Sequence, residues 1–247
     1  MAKSVNIITV NFNQLVYLKY CIDYLYNNTE YPFHYTIVDQ NSNDGSREWL
    51  IENQKKLGFD IVLFNRNTGV AFAHNYVWRA YPEEHYLKLD PDTLVLNKGW
   101  LKTLVKISEE NPDVVGAMGL NVEPINYEPS ILSGENVQFK NGNLGGACCF
   151  IPISTWRDLG YWDYWGQLYG EEDALMGTRV ILLGKKNIYL SDYKAVHLPS
   201  FNYCNVSKEQ EFCKFKDECR KENLLPDSEY KKREREYNSK TRSLKIS

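Results

Sequence analysis

The sequence predicts an α/β domain built on a mostly parallel central sheet with helices on its faces. Between Val5 and Leu89, short apolar runs rich in β-branched residues alternate with stretches of helical periodicity. Each run breaks at a turn rich in Asn, Asp, Gly or Ser. Acidic residues stand where strands should end: Asp39, then Asp90-Pro91-Asp92, then Glu171-Glu172-Asp173 at the head of a helix. A chain of 247 residues, 43% hydrophobic and 25% charged, is globular in composition and long enough for a sizeable core.

The elements follow in order. Val5-Asn6-Ile7-Ile8-Thr9-Val10 reads as a buried parallel strand, closed by the turn Asn11-Phe12-Asn13. Leu15, Leu18, Cys21, Ile22 and Leu25 recur on one helical face up to Asn27-Asn28. Tyr35 to Val38 is the second strand, and Asn43-Asp44-Gly45-Ser46 the turn into a helix that ends near Gly58. Ile61 to Phe64 is the third strand, Val70 to Tyr81 a helix, and Tyr86 to Leu89 the fourth strand. Four such units in a row imply right-handed crossovers. A helix from Gly99 to Glu110 and a strand at Val114–Met118 come next. Residues 121–143 read as an irregular functional loop. Gly145 to Ile151 is a further strand, and Ala174 to Leu183 a helix stopped by Gly184. The mixed-sign run Lys231-Lys232-Arg233-Glu234-Arg235-Glu236 reads as a charged helical tail.

Bulk properties exclude several classes. A net charge of −3 and a pI near 5.9 give no general attraction to nucleic acid or anionic membrane. No uninterrupted apolar run approaches the roughly 18 residues of a transmembrane helix. Met1-Ala2-Lys3 leads straight into a strand, so no export signal is expected. The six cysteines contain no C-x-x-C pair and read as reduced thiols, pointing to a cytoplasmic protein.

The D-x-D triplet is weak by itself, since a solvated turn would carry the same letters. Its position at a strand end, with Pro91 fixing the backbone between the acids, points to a hard divalent cation such as Mn²⁺ or Mg²⁺. Asp39 stands where a carboxylate beyond the second strand can accept from a nucleobase or ribose. A turn or cap role fits Asp44 and Ser46 better, because they immediately precede a helix. Trp156, Tyr161, Trp162, Tyr164, Trp165 and Tyr169 crowd before the Glu171-Glu172-Asp173 run. They can serve as sugar-stacking faces or as core rings.

Val10-Asn11-Phe12-Asn13, Ile37-Val38-Asp39 and Asn67-Thr68-Gly69-Val70-Ala71-Phe72-Ala73-His74-Asn75 stand in order before Leu89-Asp90-Pro91-Asp92. Gly145-Gly146-Ala147, Leu159-Gly160-Tyr161-Trp162-Asp163, Tyr169-Gly170-Glu171-Glu172-Asp173, Arg179, Gly184 and His197 follow. Across residues 4–200 this series resembles the family 2 glycosyltransferases of GT-A fold, a Rossmann-like nucleotide-diphospho-sugar transferase fold, and especially their rhamnosyltransferase-like branch. The resemblance implies a domain over 1–205, with a donor half at 1–95 and an acceptor half at 96–205, and a tail at 206–247. It implies donor contacts at Val10, Asn11, Asn13, Asp39, Asn67, Gly69, Asn75, Asp90 and Pro91. Asp90, Asp92 and His197 become the metal site, His197 being equally readable as a structural histidine. Asp173 becomes the general base with Glu172 beside it, and Trp162, Trp165, Tyr169 and Glu171 face the acceptor. His74 departs from the pattern, standing where relatives often carry Arg.

The implied activity is inverting transfer of a sugar from a UDP- or dTDP-sugar to a hydroxyl of a glycan or glycoconjugate, using Mn²⁺ or Mg²⁺. Three alternatives stay open: a retaining GT-A enzyme, a sugar nucleotidyltransferase, and a non-catalytic nucleotide-sugar-binding module. The nucleotidyltransferase would carry a glycine-rich basic loop after the first strand, where Asn11-Phe12-Asn13-Gln14 stands.

Overall fold

The computed structural model describes residues 4–82, 84–121, 127–142, 144–164, 166, 168, 170 and 172–197. The expected tail at 206–247 lies outside them. The elements are β1 (Val5–Asn11), α1 (Leu15–Asn28), β2 (Phe33–Asp39), α2 (Ser46–Leu57), β3 (Asp60–Leu63), α3 (Val70–Trp78), β4 (His85–Leu89) and β5 (Thr93–Val95). They continue as α4 (Trp100–Glu110), β6 (Val115–Asn121), β7 (Glu128–Leu132), β8 (Glu135–Lys140), β9 (Cys148–Ile151), α5 (Ile153–Leu159), α6 (Glu172–Leu182) and β10 (Lys186–His197).

The strands lie in the order β3-β2-β1-β4-β9-β6-β10-β8-β7, with β5 paired to β10. β1 is parallel to β2 and β4, β2 to β3, and β6 to β10, while β9 is antiparallel to both β4 and β6. From β3 to β10, therefore, every strand except β9 runs the same way. The mostly parallel sheet is borne out.

Alternation along each strand feeds two cores. Ile7, Ile37, Leu87 and Phe150 face α1, α2 and α4, meeting Leu18, Cys21, Ile22, Leu25, Leu50, Trp100 and Leu104. Their neighbours Ile8, Val38, Tyr86 and Ile151 face α3, α5 and α6, meeting Trp78, Trp156, Met176 and Val180. Trp78 stacks flat on Tyr86 at 3.7 Å between ring centroids.

Helix ends match local chemistry. Gly58 closes α2 at φ 78°, its N–H returning to the Gln54 carbonyl. Asp44 serves two helices at once, accepting from the Leu15 N–H of α1 at 2.8 Å and from the Ser46 N–H of α2 at 3.1 Å. α3 stops at Trp78 instead of Tyr81. Ala80 and Tyr81 donate three residues back instead of four, and Pro82 disfavours helical backbone at the residue before it.

The expectation of an irregular segment over 121–143 is corrected in part. Residues 122–126 and 143 lie outside the described ones, but β7 and β8 form a hairpin. Its turn residues Ser133 and Gly134 have φ 53° and 78°, the pair of positive angles a tight two-residue connection needs. β10 slips register between Leu190 and Lys194. Its first half pairs with β6 and β8, and its last residues pair with β5, setting His197 opposite Thr93.

Two glycines let β6 lie close to its neighbours. A Cβ on Gly116 would stand 2.0 Å from Val180 Cγ1 of α6, and one on Gly119 would stand 2.8 Å from the Cys148 carbonyl oxygen of β9. Gly116→Ala is expected to destabilise the protein by about 1–3 kcal/mol, through overpacking against the helix that carries Glu172 and Asp173. Equilibrium urea unfolding measures it, and adding Val180→Ala should return part of the loss. A Gly116→Ala protein as stable as its parent counts against this packing.

Candidate active site

The parallel strands deliver their carboxyl ends to one edge, where crevices of open α/β sheets bind ligands. Asn11 and Asp39 are register partners at the ends of β1 and β2. Asp39 is fully buried. Its Oδ1 accepts from the Ser42 N–H at 3.0 Å, its Oδ2 accepts from Asn11 Nδ2 at 3.2 Å, and the Arg47 guanidinium stands 3.9 Å away. Asn11 Nδ2 also reaches Ser42 Oγ, which leaves Asn11 Oδ1 buried beside Asp39 without a hydrogen-bond partner. Asn13 has φ 54°, donates its N–H to Ser42 Oγ and accepts from the Asn43 N–H. Val10, half-buried, pairs with Val38 just before this cluster.

The loop before α3 is tied to the same corner. Gln40 donates to the Gly69 carbonyl at 2.9 Å and accepts from Thr68. Asn67 holds its own loop, accepting from the Gly69 N–H at 2.9 Å. The structure thus brings Asn11, Asn13, Asp39, Asn67 and Gly69 into one laced set of loops. Gln40 and Ser42, which the sequence reading did not single out, do much of the lacing.

Beyond β4, Asp90 and Asp92 flank the buried Pro91. The β5–β10 pairing brings His197 Nε2 to 3.2 Å from Asp92 Oδ1. One ligand atom from each of Asp90, Asp92 and His197 lies within 4.8 Å of the others. Two carboxylates and an imidazole make an oxygen-nitrogen donor set, which suits Mn²⁺ or Mg²⁺ and leaves positions for phosphate oxygens and water. The residues present therefore fit a divalent cation.

Lys88 joins this group to the head of α6. It is 3% exposed, and its Nζ donates to Asp90 Oδ1 and to the Gly146 carbonyl, both at 2.6 Å. Burial works against the ammonium, yet Asp90, Glu172 and Asp173 outweigh it and hold its pKa above the ordinary lysine value. Glu172 is buried, with Oε2 unpartnered, and its pKa is pushed up to about 7. Burial is the main cause; Lys88 opposes it and Asp173 adds to it. Asp173 is half-buried, and its Oδ2 is 3.3 Å from the place a Cβ would occupy on Gly146. A lysine inside an otherwise apolar central strand was the available clue to Lys88, because such a charge needs a buried partner.

Other expected residues fall elsewhere. Asn75 engages both ends of its amide on the Trp162 backbone, at 2.8 and 2.9 Å, so it anchors that segment instead of facing a donor. Trp162 is corrected from a sugar-stacking face to a core ring: it is 3% exposed and donates Nε1–H to Tyr86 Oη at 2.6 Å. The Tyr86 hydroxyl lies 2.8 Å from Nδ1 of buried His74. Burial, and then Lys88, hold the pKa of His74 well below the ordinary value, so its imidazole is neutral. Among the described rings of the stretch, Tyr164 is the exposed one, resting on Phe72 at 5.3 Å. Trp165, Tyr169 and Glu171 lie outside the described residues.

No curated protein matches the chain. Among solved structures, the mannosyltransferase PcManGT from Pyrobaculum calidifontis, in complex with GDP-Man and Mn²⁺, matches at TM-score 0.61 and 19% identity, over 83% of this chain and 60% of that one. S. aureus TarS 1–349 with UDP-GlcNAc matches at TM-score 0.59 and 18% identity, over 80% of this chain and 59% of the other. GalNAc-T7 with UDP, GalNAc and Mn²⁺ matches at TM-score 0.66 and 14% identity, over 79% and 44%. At these identities the likeness is one of fold, and this chain spans less than two thirds of each of those chains. The mixed sheet and its flanking helices are those of the GT-A glycosyltransferases. The model of the family described as "Glycosyl transferase family 2" matches residues 6–149, more than half of the chain, and the protein belongs to that family.

Proposed function

We infer that the protein transfers a sugar, with inversion, from a nucleoside-diphosphate sugar to a hydroxyl of a glycan or glycoconjugate. The observation that carries this reading is the convergence at one sheet edge of Asp90, Asp92 and His197, with the Glu172–Asp173 pair reached through Lys88. Asp39 and the unpartnered Asn11 Oδ1 offer acceptors for a nucleobase. UDP and dTDP are the proposed nucleotides; GDP-Man and UDP-GlcNAc in the structural neighbours support a nucleotide-sugar donor in general. The donor half is assigned to 1–95 and the acceptor half to 96–205. The rhamnosyltransferase-like branch rests on the residue series alone. A cytoplasmic setting is supported by three free, buried thiols at Cys21, Cys148 and Cys149. No helix among the described residues is long and apolar enough to cross a membrane.

Mn²⁺ or Mg²⁺ held by Asp90, Asp92 and His197 would offset the charge that develops on the leaving diphosphate. On the other side of the reacting carbon, Asp173 takes the proton of the acceptor hydroxyl. It stands half-buried at the edge, where a substrate hydroxyl can reach it, whereas Glu172 lies behind it in the core. Glu172 is thus the neighbour that tunes the base, and Glu171, Trp165 and Tyr169 are kept as acceptor contacts.

Nucleoside diphosphate release from a panel of UDP-, dTDP- and GDP-sugars, with and without Mn²⁺, tests the reading. Metal-independent silence across the panel would overturn it. Product configuration by NMR separates inversion from retention. Asp173→Asn is expected to keep donor affinity while transfer falls about 100-fold or more; turnover near the parental rate removes Asp173 from the role.

Glu172 has a folded pKa raised from 4.5 to about 7. Its neutral form is the one the fold favours, so this contribution to stability is complete below pH 4.5 and is lost as pH rises through 7. Glu172→Gln removes the dependence. In metal-free urea unfolding, the variant should gain on the parent between pH 5 and pH 8 by roughly 2–3 kcal/mol. An equal difference at both pH values would show that Glu172 does not titrate in this way.

A further inference from the structure

Lys88 is not among the residues assigned above to donor, metal, base or acceptor, yet it touches both Asp90 and the glycine backbone before β9. Its ammonium lies 2.6 Å from Asp90 Oδ1, so one of the two oxygens that Asp90 could offer a cation is already engaged. The same ammonium holds the Gly146 carbonyl at 2.6 Å. A Cβ on Gly146 would stand 2.9 Å from that Nζ and 3.3 Å from Asp173 Oδ2. The place of glycine there follows from the closeness of these two side chains, since Gly146 is not among the residues with positive φ.

We propose that Lys88 is a positioning residue: it makes Asp90 a one-oxygen ligand of the divalent cation and fixes that carboxylate relative to Asp173 across Gly146. The proposal rests on the glycosyltransferase reading for its effect on turnover, but its effect on metal binding stands apart from it. With Lys88 in place, Asp90 Oδ1 carries an ammonium hydrogen bond and Oδ2 is left for a cation, which Asp90 would then hold near a positive charge. Affinity for the cation is thereby held down, and the geometry between leaving group and base is held fixed.

Lys88→Met keeps the side-chain length and removes the charge. In the full 247-residue chain, titration with Mn²⁺ alone, followed by the electron paramagnetic resonance of the free ion, should give binding about fivefold tighter or more, because both Asp90 oxygens are released and a nearby positive charge is gone. Nucleoside diphosphate release should fall about tenfold or more with donor KM little changed, as expected when reacting groups lose alignment. Lys88→Arg, which keeps the charge, should bring Mn²⁺ affinity back to the parental value. A purely structural lysine predicts the opposite for the metal: weaker binding accompanying a lower Tm. Mn²⁺ binding that is unchanged or weaker in Lys88→Met therefore overturns the proposal, as does turnover within tenfold of the parent. Should Lys88→Met not fold, Gly146→Ala pushes the mobile end of Lys88 aside and must tighten Mn²⁺ binding in the same direction. If the parent releases no nucleoside diphosphate from any donor, the enzymatic reading fails, and the Mn²⁺ titration alone decides the role of Lys88.

Discussion

The site depends on one electrostatic constraint: several carboxylates share the carboxyl edge of a sheet, and each must find a positive partner or give up its charge. Lys88 is the buried cation the chain supplies to Asp90, and Glu172 marks the limit of what it can offset. Lys88 lies against Asp90, and His197 against Asp92. Glu172, itself buried, has its pKa pushed up towards neutrality. Placing a lysine in the middle of a central strand would be prohibitive without partners, since a buried lone ammonium loses its hydration. Here the buried cation and the buried acids justify one another, so removing either side alone leaves the other uncompensated. The consequence is that the Asp90–Asp92–His197 cluster and the Glu172–Asp173 pair are parts of one charge network.

Topology explains how residues so distant in sequence come to share it. β10 begins in the centre of the sheet beside β6 and ends against β5, the short strand that follows Asp92. The register slip between Leu190 and Lys194 makes this change of partner possible. Without it, His197 would continue along β6 and away from the aspartates. A strand that switches neighbours is thus what completes the cluster of Asp90, Asp92 and His197.

The amino-terminal half was legible because its physics is local. Runs such as Val5–Val10 and His85–Leu89 are dominated by apolar residues, as strands buried on both faces are, and their turns carry Asn, Asp and Gly. The strand-end acids were legible for the same reason: position alone separates Asp90 and Asp92 from an ordinary turn. What escaped was set by tertiary pairing. The β7–β8 hairpin has a polar, proline-containing first strand at the sheet's edge, half-exposed and without the alternation that marks a strand. β10 is long because two different partners each claim part of it, which periodicity does not encode. Trp162 carries the letter of a sugar platform, but the Tyr86 hydroxyl below it offers its indole N–H a buried partner, and the ring follows that bond inward.

β9 shows why the stretch of sheet from β3 to β10 carries one reversed strand. A parallel strand would bring its carboxyl end to the active edge, and the segment before it would lie at the far side of the sheet. Running the other way between β4 and β6, β9 places its lead-in, Gly145-Gly146-Ala147, at the edge instead. Three backbone groups of that lead-in are then put to use. The Gly145 N–H donates to Tyr189 Oη, the Gly146 carbonyl accepts from Lys88, and the Ala147 carbonyl accepts from the Asp90 N–H at 2.9 Å. Side chains would obstruct this arrangement, at Gly146 above all, where the ammonium and Asp173 already fill the space a Cβ would need. The pair of glycines before β9 therefore acts as backbone inserted between Lys88 and Asp173, thin enough to let them approach and polar enough for its Gly146 carbonyl to hold the ammonium.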